Sequence, residues 1–333
     1  LMEFPYDCVE QIFNRYYANA LAASVANATP KIRQVFERWK GTDALESNLT
    51  KNQELKSALL AETPWVLDAQ NESQQRKNIG VLFDLMRLSE EQTVTLNKLA
   101  ERQLPDGGFA WFPGGRANWY ITQYIVEGFG HLDKLGAGKL QDNPIAYQII
   151  GKSIQFIDNE LANTYADLEK LVKEGKAKWE DDHLSNIAIH YLYARSFFQQ
   201  FPVESAVAKK AADYYLGQAE KYWLNKGFYQ EGLLALALHR YNKAAAAGKI
   251  VQSLRERALR NDELGMYWRH NAGYFWHQMP IESQALMIEV FAEVAKDNAS
   301  VDEMRIWLLK NKKTNSWETT KATASAVYAL LMN

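Results

Sequence analysis

A thiol and a carboxamide three residues apart, Cys8 and Gln11, are the pair in this chain with the most specific chemical potential. Cys8 is the sole cysteine in 333 residues, so an intrachain disulfide is excluded. A lone thiol is a buried small hydrophobe, an incidental group or a reactive centre. The run Phe4-Pro5-Tyr6-Asp7-Cys8-Val9-Glu10-Gln11 favours the last of these. A tight turn after Pro5 and Tyr6 that runs into a helix brings the Gln11 carboxamide back towards the Cys8 sulfur. Attack of the thiolate on the carboxamide carbon, with loss of ammonia, gives an internal thioester. The inert alternative is a Cys8 packed beneath a helix.

The Pro5-Tyr6 and Cys8-Val9-Glu10-Gln11 segments resemble the thioester motif of the alpha-2-macroglobulin and complement proteins. The resemblance extends to Asp106-Gly107-Gly108-Phe109, to Trp119-Tyr120-Ile121-Thr122 and to Trp317-Glu318-Thr319-Thr320-Lys321-Ala322-Thr323, and its flavour is nearest the bacterial branch. It implies a helical thioester domain with Cys8 and Gln11 as the bonded pair and Phe4, Pro5 and Tyr6 as shielding neighbours. Glu10 belongs to the motif without a chemical step of its own. The resemblance further implies a single-use covalent trap rather than an enzyme, with no cofactor. Its partners are target proteases captured through surface lysines and the other domains of a longer chain. The parent is expected to be a secreted or envelope-anchored protein in an extracytoplasmic compartment, the bacterial periplasm or cell surface.

Hydrophobic residues at 47% and charged ones at 23% describe a globular chain with ample core. A net charge of −2 gives no electrostatic case for nucleic acid. No apolar run approaches a bilayer span, so no membrane insertion by this stretch is expected. The motif stands almost at the first residue, which reads as a domain cut from something longer, with residues 1–333 as one folding unit.

Positioning such a motif is the task of helices. Ile12 to Ala28 carries apolar residues at helical spacing and predicts a buried helix with Gln11 in its first turn. Ile32 to Trp39 and Asn52 to Leu60 read as outer helices. Asn71 to Leu88 and Ser89 to Arg102 read as the next pair, the second capped by Ser89 with Gln92. The loop from Leu104 to Asn118 breaks every period and leads into a helix from Trp119 to Leu132. Thr122, Ser283 and Thr323 each follow an aromatic-bearing loop, and the forty residues between the last two fit repeated helical hairpins. Inner helices are expected near Ser185 and Gln230, and outer ones over Asn143 to Lys173, Val203 to Trp223 and Lys243 to Arg260. Strand signals are nearly absent. The expected fold is all-α, an α/α toroid of about six helical hairpins, with the loops preceding the inner helices gathered at the Cys8 end.

Histidines and carboxylates supply the competing readings. His131 and His239 end helices and suit surface or dipole roles. His190 lies on an apolar stripe as a core imidazole. His183 precedes the cap candidate Ser185, in the region where complement-type relatives carry a histidine that receives the acyl group, although its local residues match that motif poorly; His277 is a weaker candidate. No HExxH or paired-cysteine spacing supports a metal. A toroidal carbohydrate-active enzyme would need two of Asp106, Asp181, Asp182 and Glu282 as a carboxylate pair. A non-reactive interaction domain is the third class.

Overall fold

The computed structural model of the protein describes residues 8–28, 85–269, 280–312, 317 and 319–332, together with positions 34 and 38. The helices expected over Ile32 to Trp39 and Asn52 to Leu60, most of that over Asn71 to Leu88, and the residues Phe4, Pro5, Tyr6 and His277 lie outside the described residues. Eleven α-helices are described, α1 (Val9–Ala28), α2 (Leu85–Arg102), α3 (Trp119–Lys134), α4 (Pro144–Lys173), α5 (Asn186–Ser196), α6 (Ala206–Tyr222), α7 (Phe228–Arg240), α8 (Ala244–Glu256), α9 (Pro280–Val290), α10 (Asn298–Lys310) and α11 (Thr320–Leu331).

The odd-numbered helices form an inner ring, each packed on the next, and α11 closes it against α1. Their residues are buried on nearly every side, as befits helices surrounded by neighbours. Every residue of α3 from Ile121 to Leu132 is buried, as is every residue of α9 from Ile281 to Val290. Gly128 of α3 makes room for the Phe13 ring of α1, since a Cβ there would stand 2.3 Å from it. The outer helices bury one stripe and expose the other. In α4 that stripe runs through Ala146, Ile149, Ile150, Ile154, Ile157, Leu161, Tyr165 and Leu168. Inner helices run parallel: Tyr124 of α3 reaches Asn14 of α1 at equal depth, and Thr320 of α11 reaches Glu10.

Three expectations are corrected. No boundary falls at Ser89, because α2 runs through it and the Ser89 carbonyl accepts from Thr93 Oγ1 at 3.0 Å. Gln92 donates instead to the Asn19 carbonyl of α1, 2.9 Å away. The helix expected to reach Arg260 stops at Glu256. A small antiparallel ribbon follows, β1 (Leu259–Asn261) against β2 (Gly265–Tyr267), with Arg260 opposite Met266. Gly265, at φ +73, turns the chain into β2. Finally, His131 is not at the surface. It is buried in the ring, with its Nε2 2.8 Å from the Tyr193 hydroxyl and its ring stacked on Tyr328 at 3.8 Å.

Candidate functional site

Cys8 occupies the N-cap of α1. Its carbonyl accepts from the amides of Gln11 and Ile12, each at 3.1 Å, which makes Gln11 the third helical residue. Cap and third position are the pair joined reciprocally in a capping box, each side chain reaching the other's backbone amide, so thiol and carboxamide belong to the same first turn. Cys8 is buried at 8% exposure. The Gln11 side chain is half-buried, and its Oε1 is shielded from solvent and meets no hydrogen-bond donor among the described residues. The helix N-terminus favours negative charge developing on sulfur or on a carbonyl oxygen.

The loop before α3 seals this corner. Val9 N–H donates to the Trp111 carbonyl at 3.1 Å, and Trp111 stacks on Tyr120 with ring centres 6.2 Å apart. A cleft of about 180 Å³ opens beside it, lined by Val9, Glu101, Arg102, Leu104, Trp111 and Phe112 among others. The loop itself is fixed by Asp106-Gly107-Gly108. The Asp106 carboxylate accepts from Gly108 N–H at 3.0 Å, while Gln103 Nε2 donates to the Gly107 carbonyl at 3.0 Å and to the Ile149 carbonyl of α4 at 2.9 Å.

Glu10 turns inward and is buried. Its Oε1 accepts from Asn14 Nδ2 at 2.6 Å and from Thr320 Oγ1 at 2.9 Å, and its Oε2 lies 4.0 Å from the Cys8 sulfur. Burial pushes its pKa up against the opposing pull of Thr320, Lys321 and Asn14. Behind it a polar column runs down the axis of the ring. Lys321, 2% exposed, donates to the Tyr120 hydroxyl at 3.1 Å; burial opposes its charge, and Tyr120, Tyr229 and Glu127 hold the ammonium above its ordinary range. Glu127 meets His190 Nε2 at 2.6 Å. Burial alone would raise Glu127, but the His190 hydrogen bond and the charges of His190, His131 and Lys321 hold it down at about 2. At the far end Glu289 accepts from Tyr193 at 2.5 Å, Tyr328 at 2.9 Å and Arg240 at 2.6 Å, and pairs with Lys134.

His183 sits where the chain enters α5, at the same end of the ring as Cys8. Its Nε2 lies 2.7 Å from the Lys178 carbonyl, and its amide donates to Gln218 of the outer helix α6 at 3.0 Å. Those bonds hold it on the outer flank. The imidazole inside the ring on α5 is His190, whose ring lies 5.5 Å from that of Tyr120. Two carboxylates weighed as a glycosidic pair have structural work: Asp106 holds its own turn, and Asp182 is bound by Lys226 at 2.7 and 2.9 Å. Among the described residues no cluster of three or more His, Cys, Asp or Glu is placed to hold a metal ion. No described helix is long and apolar enough to cross a membrane.

Glu10 enters the sequence reading only as a motif residue, and the column behind it is not legible there because its contacts join residues far apart along the chain. Only a buried position for Glu10, on the apolar face shared with Phe13 and Tyr17, offered a signal.

A closed ring of parallel inner helices, with a capped thiol at one end, defines the architecture, and the comparisons give it a family. The model of the A-macroglobulin TED domain matches residues 88–332, and the chain belongs to that family. The matched region begins after the Cys8 segment. No curated protein matches the chain. Among solved structures it is similar to native alpha-2-macroglobulin from Escherichia coli, in a crystal structure spanning domain MG7 to the C-terminus. There the TM-score is 0.53 at 14% identity, over 99% of this chain and 40% of that one. A cryo-EM reconstruction of the native conformation of the same protein gives 0.52 at 14% identity, over 98% of this chain and 16% of that one. The likeness is one of fold, and this chain spans less than half the length of either.

Proposed function

We propose that this chain is the thioester-bearing unit of a macroglobulin-like endopeptidase inhibitor, which captures an attacking protease covalently. The observation that carries the reading is Cys8 at the N-cap and Gln11 at the third position of the same inner helix. Cys8 is the leaving thiolate. Its parent thiol, with an ordinary pKa of about 8.5, is a far better leaving group than an amine, so the Gln11 acyl group is activated towards amines. A surface lysine of the protease, held close by the trap, attacks at high effective concentration and outcompetes water. Each molecule reacts once, so the protein is a reagent and not a catalyst. Phe4, Pro5 and Tyr6, with Trp111 behind Val9, exclude water until then. The unit works within a longer chain of several domains in an extracytoplasmic compartment.

The test is the intact mass of freshly prepared full-length protein. It should fall short by one ammonia, with Cys8 resistant to alkylation until methylamine is added, and the methylamide should then appear on Gln11. Cys8→Ala and Gln11→Ala should each abolish uptake. A full mass with an alkylatable Cys8 and no methylamine incorporation refutes the reading. In the same assay His183→Ala decides whether an imidazole relays the acyl group. With direct aminolysis, methylamine capture is unchanged by it and glycerol is captured poorly before and after.

A further inference from the structure

We propose that Glu10 is the proton carrier for Cys8, its Oε2 taking the thiol proton as sulfur attacks Gln11 and passing it to the departing nitrogen. The inference rests on the thioester reading above and deepens it. Its ground is the division of labour between the two carboxylate oxygens. Oε1 is occupied by Asn14 and Thr320, at 2.6 and 2.9 Å, and Oε2 faces the Cys8 sulfur at 4.0 Å. Asn14 is itself oriented, because its Oδ1 accepts from the Tyr124 hydroxyl at 2.7 Å. A base aimed at a nucleophile and held from behind by donors from two helices, one of them oriented from a third, gives the geometry of an activated nucleophile. The thiol contact is at the outer limit of a hydrogen bond, as such contacts often are before reaction.

A purely structural role explains less. Tethering α1 to α11 through Oε1 needs an acceptor, not a charge, and a glutamine carbonyl would accept from both donors. Burying an ionisable carboxylate is expensive. Here the burial raises its proton affinity towards the range where a group can both take and release a proton.

The step balances. The S–H bond of Cys8 breaks and the proton moves to Glu10 Oε2, while the sulfur electron pair forms the bond to Gln11 Cδ and the carbonyl pair moves onto oxygen. On collapse the carbonyl re-forms, the C–N bond breaks, and the nitrogen leaves as ammonia with the proton returned from Glu10. The carboxylate ends ionised, as it began, and no other reactant is consumed.

The experiment measures, in the full-length chain, the fraction of molecules lacking one ammonia at fixed times after synthesis. Glu10→Gln should fold, with an unchanged circular dichroism spectrum, and form the bond at least tenfold more slowly. Thr320→Val, which removes one orienting donor and keeps the carboxylate, should slow it two- to threefold. Equal rates in Glu10→Gln and wild type would overturn the assignment, as would a Thr320→Val loss matching that of Glu10→Gln, which marks a tether. Should Glu10→Gln fail to fold, the wild-type rate in deuterium oxide decides: slowing of twofold or more supports a proton in flight at the rate-limiting step, and an unchanged rate overturns it. Wild type that never loses ammonia would sink the thioester reading itself and this inference with it, whereas loss in wild type and equally in Glu10→Gln sinks this inference alone.

Discussion

A methyl group at position 107 has nowhere to go. Gly107 holds φ at +88, and a Cβ there would stand 2.3 Å from the Lys152 carbonyl oxygen of α4. Gly107→Ala is therefore expected to cost about 1 to 2 kcal/mol for the left-handed backbone and a further 1 to 3 kcal/mol for the forced overlap. Urea denaturation measures the sum. The loop that carries Trp111 to Val9 should loosen with it, so hydrolysis of the proposed bond should accelerate in the same variant. Residues of this kind are legible in the sequence when their chemistry is local. Cys8 and Gln11 stand three apart and a glycine pair follows Asp106, so each declares a turn or a pair without knowledge of the rest. Glu10 is legible only as a member of the motif; its burial and its bond to Thr320, 310 residues away, are not. His131 misleads for a related reason: a histidine in the last turn of a helix usually faces water, but the ends of an inner helix are still enclosed by its neighbours.

At the scale of elements, the sequence carries helix starts better than helix junctions. Asn143 before Pro144, Ser185 before Asn186 and Thr319 before Thr320 are N-caps, each accepting from backbone amides two or three residues on. Asn143 serves two amides, those of Ile145 and Ala146, both at 3.1 Å. Asn143→Ala should lower stability by about 1 kcal/mol, read as a shift in the urea midpoint with an unchanged slope, because the thirty-residue helix behind it remains packed. The shared layout around Thr122 and Thr323 also has a physical cause. Thr122 Oγ1 accepts from Phe109 N–H at 2.9 Å and Thr323 Oγ1 from Trp317 N–H at 3.3 Å, so each helix fastens the buried aromatic of its own entry loop. What failed at this scale were Ser89 and Arg260. Ser89 fits a cap by type, but α1 claims Gln92 for its own carbonyl. The ribbon after Glu256 is too short to display an alternating pattern and is fixed by Gly265 and by packing on α10.

The whole molecule is held by its ring closure, and the polar column along the axis makes that closure sensitive to acid. Glu127 and His190 join α3 to α5, Tyr193 and Glu289 join α5 to α9, and Arg240 and Lys134 bring α7 and α3 to the same carboxylate. Periodicity announces that such helices pack, whereas charges inside the ring are invisible to it, because a buried glutamate and an exposed one read alike in a helical pattern. Glu127 is held at about 2, below an ordinary value of 4.5, and Glu289 is lowered by Lys134, Arg240 and His131 against the effect of burial. A carboxylate depressed in the folded state contributes stability that is present above its unfolded value and is lost as pH falls through the folded one. For Glu127 that window runs from 4.5 down to about 2 and corresponds to roughly 3 kcal/mol. Denaturant unfolding at pH 7, 4.5 and 3 should show little change over the first interval from this pair and a marked loss over the second. Glu127→Gln should be less stable at pH 7 by about 3 kcal/mol, the contribution of the depressed carboxylate. Its stability should fall less steeply below pH 4.5 than that of wild type. Parallel pH profiles for the two proteins would show that the acid sensitivity resides elsewhere in the column, with Glu289 the next position to replace.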